Sequence, residues 1–280
     1  MTVRVVVDST ADIPPARARE LGITVIPLLV LFGDDEFRDG VDMTDAEFYQ
    51  RLATGPVMPT TATPPPGLFQ QVFRSLIADG ATGILAIHIG SELSASYSTS
   101  VTAAGEIIKE TGVPIEVIDS RTVSAGFGLP AQMLAAEARQ GKSLEELVAR
   151  AHNLLSRTHL IAVLDTLEYL RRGGRIGRAQ AMLGTVLNFK PLIEIRDSKV
   201  VPLEKVRTRG KALERIGELI SQRGEPEAIA IAQSDETIGT RLVEVARTFW
   251  NGPIEHCALG PVVGTHAGPG AGAIVVLTRE

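Results

Sequence analysis

The chain has one cysteine, Cys257, in 280 residues. That excludes an intrachain disulfide and any zinc site assembled from several thiolates. No apolar run reaches the ~18 residues that a membrane span requires, so no stable membrane insertion is expected. The five histidines stand at 88, 152, 159, 256 and 266, none in the HExxH spacing of a zinc hydrolase, and no metal is expected. Gly141-Lys142-Ser143 resembles the end of a phosphate-binding loop, but the glycine needed five residues before Gly141 is Ala136. Thr122-Val-Ser124-Ala-Gly126 falls one glycine short of the nucleophile elbow of α/β-hydrolases. Aromatic residues are only 4% and the net charge is −5, which argues against nucleic acid as a partner. The first residues, Met1-Thr2-Val3-Arg4, run straight into a strand-like segment rather than a signal peptide. A reduced, cytoplasmic protein is expected.

What is present points to two α/β units. At roughly 150 residues per domain the length predicts about two domains. Buried-strand patterns at Val3–Val7, Thr24–Phe32, Gly83–Ile89 and Pro114–Ile118 alternate with helical patterns near 15–21, 44–53, 66–79, 95–110 and 124–140. Strands spaced by helices imply a parallel sheet covered on its faces. Thr44–Glu47 and Ser143–Glu146 each fit the capping box that starts a helix. Past residue 143 the pattern restarts, with a strand at Leu160–Leu164, a hairpin over 190–203, further helices and strands to 258, and a glycine-rich turn at 264–272 before a last strand. The expected units are 1–145, with the parallel sheet, and 146–280, a smaller α/β unit carrying the hairpin. Charge divides along the same line. Residues 1–147 hold 10 basic and 19 acidic side chains, and residues 171–215 hold 12 and 4, a local +8.

Open α/β sheets bind ligands beyond the carboxyl ends of their strands. Four polar clusters are expected there: Asp8–Asp12, Thr60–Thr63, Ser91–Ser94 and Asp119-Ser120. Hydroxyls at helix N-termini suit an anion, although they also serve as plain caps. Gly260–Gly272 surrounds His266 with glycines, and Gly173-Gly174-Arg175-Ile176-Gly177 sets an arginine in a helix break.

The ordered set Asp8-Ser-Thr-Ala-Asp12-Ile-Pro14, Pro59-Thr-Thr61, Ser91-Glu-Leu-Ser94, Asp119-Ser120, Asp165 through Gly177, and Gly264-Thr-His266-Ala-Gly-Pro-Gly270 resembles the DegV family over nearly the whole chain. The resemblance implies the two-domain EDD fold and a long-chain fatty acid bound between the domains as ligand, with no cofactor. It also implies a partner, a separate ATP-dependent fatty-acid kinase that converts the presented carboxylate to acyl phosphate. Thr61 and Ser94 match the hydroxyls that hold the carboxylate, and His266 and Arg175 match groups assisting phosphoryl transfer. The chain departs from the family pattern at Ala62-Thr63-Pro64-Pro65 and at Ala95-Ser96, which bears on the shape of the head-group pocket. The tail is expected among apolar residues of 26–32, 160–164 and 182–193. The carrier reading competes with an autonomous phosphotransferase or acyl-transfer enzyme using His266, and with nucleic-acid binding through 171–215.

Overall fold

The computed structural model describes residues 2–183 and 189–280. Strand β1 (Val3–Asp8) is apolar almost throughout, and helix α1 (Pro15–Leu21) returns the chain to β2 (Thr24–Ile26), parallel to β1. The single strand expected over 24–32 is in fact two. Pro27 has no N–H for a ladder, and Leu28 gives its N–H to Ser9 Oγ and its carbonyl to the Asp39 N–H, so the chain leaves the first sheet. It continues as β3 (Leu29–Phe32), antiparallel to β4 (Asp35–Arg38) and, after helix α2 (Asp45–Thr54), to β5 (Thr60–Ala62). This third sheet is not read from the sequence, because its strands are three or four residues long and two of them, β4 and β5, are mostly polar.

Helix α3 (Pro66–Ala78), β6 (Gly83–His88), α4 (Ser96–Thr111) and β7 (Ile115–Asp119) complete an all-parallel sheet of order β2-β1-β6-β7. Phe69 and Phe73 of α3 and Ala103 and Ile107 of α4 cover one face. The other face is covered by α5 (Ala125–Arg139), which is buried on most sides. A helix apolar all round belongs in an interior, and small residues let it come close. A Cβ on Gly128 would lie 2.2 Å from the Ala11 carbonyl oxygen. Both expected capping boxes form, at Thr44–Glu47 and at Ser143–Glu146, the latter opening α6 (Leu144–Ser156), which packs on α5 and β6.

The rest of the chain builds a second sheet. In order come β8 (Thr158–Val163), α7 (Glu168–Arg172), the hairpin β9 (Lys190–Arg196) and β10 (Lys199–Val206), α8 (Arg209–Ser221), β11 (Pro226–Gln233), α9 (Glu236–Ala246), β12 (Ile254–Ala258), α10 (Pro261–Ala267) and β13 (Gly272–Thr278). The strand order is β10-β9-β8-β13-β11-β12, with only β11 and β12 parallel. Period-two alternation sorts its side chains. Ile161, Val163, Leu192, Ile274 and Val276 face α8 and α9. Leu160, Ala162, Ile193, Ala273 and Val275 face α5, in one core that continues through Phe127 and Leu134 to Val5 and Leu85 of the first sheet. The glycine-rich turn expected at 264–272 is a helix for its first part: Pro261 starts α10, and Gly268, at φ 76°, ends it. His266 therefore sits on the last turn of a helix.

Candidate functional site

The sheet face that looks toward α5 does not close completely. Ala162 of β8 lies directly opposite Ala273 of β13, and Gly272 opposite Val163. Two alanines side by side, where the next pair on that face, Leu160 and Val275, carries larger side chains, leave a trough in the sheet surface. Leu160, Leu164, Ile193, Ile195 and Val200 border it, and Leu28, Ile89, Val123, Leu259 and Val263 roof it from the other side. The space within this lining, its opening to solvent included, is about 940 Å³. Of the three stretches where a tail is expected, Leu28, then Leu160, Ala162 and Leu164, and then Ile193 line this space. Residues 184–188 of the third stretch lie outside the described residues.

All four candidate residues, Thr61, Ser94, Arg175 and His266, line this one cavity. Thr61 Oγ1 lies 2.9 Å from His266 Nε2, joining β5 to α10 across more than two hundred residues of sequence. Ser94 Oγ lies 2.9 Å from Ser96 Oγ and 3.1 Å from Thr63 Oγ1. The Arg175 guanidinium is oriented by two carbonyls, with Nε donating to Leu93 at 3.2 Å and Nη1 to Gly173 at 2.7 Å. Its neighbours Arg171 and Arg172 both turn outward to Glu168. Of the two hydroxyls expected at helix N-termini, Ser94 immediately precedes α4, whereas Thr61 is on strand β5. Thr63 and Ser96 were missed. Had 60–62 been recognised as a strand, the period of two would have set Thr63 on the same side as Thr61.

Burial, and secondarily the Arg175 guanidinium, push the His266 imidazole down to about 4. At neutral pH it is uncharged, so the positive charge beside Thr61 and Ser94 comes from Arg175, and His266 acts as a hydrogen-bonding group. Among the described residues its Nδ1 is buried without a hydrogen-bond partner, and it lies against Gly173, where a Cβ would come within 2.1 Å of it. Gly173 is thus a further site residue, and the close fit gives a physical reason for glycine beside Arg175.

Two of the other polar clusters mainly hold the fold. Asp8 accepts the N–H groups of Thr10 and Ile89 and pairs with His88 Nδ1, entirely out of solvent. Asp12 accepts the Ser124 hydroxyl and the Gly260 N–H, tying the start of α10 to α5. Burial raises its carboxyl well above the ordinary range. Asp119 accepts the N–H groups of Ser91 and Arg121. Ser124, the near-miss for a nucleophile elbow, is committed to Asp12. Among the described residues no group of three or more His, Cys, Asp or Glu side chains is placed to hold a metal ion, and no helix is long and apolar enough to cross a membrane.

The basic stretch is largely neutralised in place. Lys190 and Arg209 share Asp165, Lys199 pairs with Glu92, Arg196 with Glu194, and Arg215 with Glu204 and Glu218. Arg178, Arg207 and Lys211 are exposed and have no carboxylate partner among the described residues.

Comparison with known proteins converges on one group. A DegV domain-containing protein of Streptomyces coelicolor is 36% identical over 285 residues, covering 99% of each chain. A fatty-acid-binding DegV family protein from Thermus thermophilus superposes with a TM-score of 0.90 at 30% identity, over 100% of both chains. DegV of Bacillus subtilis, described as a fatty acid binding protein, gives 0.89 at 28% identity, again over 100% of both. The model of the DegV family, a family of uncharacterised proteins, matches residues 2–279. With the architecture and the whole length accounted for, the chain belongs to the DegV family.

Proposed function

We propose that the protein binds a long-chain fatty acid between the units 1–145 and 146–280 and presents its carboxylate to a separate ATP-dependent kinase. The observation that carries this reading is a single cavity with an apolar trough along the Ala162–Ala273 floor and a cluster of hydroxyls at its polar part. The fatty-acid binding named for the similar Thermus and Bacillus proteins supports it. A buried methylene contributes ~0.8 kcal/mol, so a chain of about sixteen carbons gains on the order of 10 kcal/mol before ordering costs. The tail supplies the affinity and the head group needs only orientation.

Thr61 and Ser94 are the donors for that orientation, with Thr63 and Ser96 fixing Ser94. Hydroxyls suit the task because a fully buried ion pair would lose most of its attraction to desolvation. One carboxylate oxygen then remains to attack the γ-phosphorus of ATP on the kinase, ADP leaving as the acyl phosphate forms. Arg175 offsets the negative charge that gathers there, and neutral His266 holds Thr61 in place. ATP chemistry is assigned to a partner because the sequence carries no phosphate-binding loop. The test is to incubate protein, fatty acid and ATP with and without a fatty-acid kinase. Acyl phosphate should form only when the kinase is present, and robust product without it would contradict the carrier reading.

A further inference from the structure

A second cavity, polar and about 1070 Å³, lies against the apolar one. The two share one lining residue, Ile195. At two other places the chain passes from one to the other within a single residue: Thr122 lines the polar cavity and Val123 the apolar one, and His159 and Leu160 divide in the same way. The register that sets Ile161 of β8 opposite Glu194 of β9 places Leu160 beside Ile195. At Ile195 a single residue therefore borders both cavities. Behind it the surroundings change from hydrocarbon to charge. Glu194, with 4% of its side chain exposed, is held between Arg196 and Arg223, and Arg121 pairs with Asp197.

Resting on the fatty-acid reading above, we infer that Ile195, flanked by Val123 and Leu160, limits the length of acyl chain the protein accepts. Up to the partition each added methylene is transferred from water to hydrocarbon. Beyond it a methylene would displace water from around charged groups and gain nothing. A chain ending in a hydroxyl would be accepted there once the partition is thinned.

The test measures dissociation constants for saturated fatty acids of increasing length, and for ω-hydroxy analogues of the longest, with wild type, Ile195→Ala and Ile195→Phe. In wild type, affinity should rise by up to about fourfold per methylene and then stop rising. Ile195→Ala should move the limit to longer chains and favour the ω-hydroxy analogue over the alkyl chain of equal length. Ile195→Phe should move the limit to shorter chains, and it reads the same partition from the opposite side if the alanine variant folds poorly. Length profiles identical in all three proteins would overturn the inference while leaving fatty-acid binding intact. Failure of wild type to bind any chain would instead overturn the reading on which it rests.

Discussion

Gly173→Ala separates two effects of opposite sign. Gly173 has φ −73° and ψ −5°, a conformation alanine adopts without strain. Were nothing nearby, the substitution would stabilise the protein by about 0.4–1 kcal/mol, because it reduces the freedom of the unfolded chain. Its Cβ, however, would fall 2.1 Å from His266 Nδ1 and 2.6 Å from Cε1. The imidazole must move, which costs about 1–3 kcal/mol as overpacking, and the Thr61–His266 hydrogen bond is worth roughly another 1 kcal/mol. The balance is a net destabilisation of about 1–3 kcal/mol in chemical denaturation. Fatty-acid binding should persist, since the tail dominates, while phosphorylation by the kinase should fall steeply as Thr61 loses its orientation. Gly174 is the control: nothing lies within 4 Å of its Cβ position, but φ is +70°. Alanine there should cost about 1 kcal/mol in backbone strain and leave phosphorylation unchanged. A Gly173→Ala protein more stable than wild type, with unaltered His266 imidazole resonances, would refute the placement of His266.

Removing both hydroxyls proposed to hold the carboxylate, Thr61→Ala with Ser94→Ala, should weaken fatty-acid binding by only about 1–3 kcal/mol, read by displacement of a labelled chain. Unchanged affinity would move the head group elsewhere. Asp39 is buried and accepts the Ser9 hydroxyl and the Val262 N–H, but burial outweighs both and pushes its carboxyl up to about 7. The folded state therefore holds this proton more tightly than the unfolded chain, and stability from this group falls as pH rises from about 4 through 7. Asp39→Asn should flatten the loss of stability between about pH 4 and 7 in denaturant titrations, and an unchanged slope would count against the burial argument. Arg207→Glu with Lys211→Glu should reduce kinase-dependent phosphorylation while leaving fatty-acid binding intact. Arg209→Glu should instead destabilise the fold, since Arg209 holds Asp165 and the Gly270 carbonyl; equal effects on binding and phosphorylation in the first pair would exclude a docking role.

The parallel sheet was legible because its strands are short β-branched runs buried on both faces, and its helices carry sharp start signals such as Thr44–Glu47 and Ser143–Glu146. The split at Pro27-Leu28 was not, because it depends on Ser9 and Asp39, which capture the backbone of Leu28 from elsewhere in the chain. Thr61, Ser94, Arg175 and His266 came from the family resemblance, and the structure brings them to one cavity. Thr63, Ser96 and Gly173 were hidden for local reasons. The first two lie where the chain departs from the family pattern, and Gly173 matters only through a ring supplied by α10. The basic stretch over 171–215 shows the reverse failure: its +8 is real in composition, but Lys190, Lys199 and Arg209 meet Asp165 and Glu92, carboxylates that sequence distance conceals.

The central claim is that the trough floored by Ala162 and Ala273 is an acyl site. Native mass spectrometry of protein purified without added lipid tests it most directly. A retained mass matching a long-chain fatty acid, lost when Ala162 and Ala273 are both changed to Leu in a protein that still folds, is the predicted result. Empty wild-type protein that also fails to take up added fatty acid, or a double variant that retains the ligand as wild type does, would contradict it.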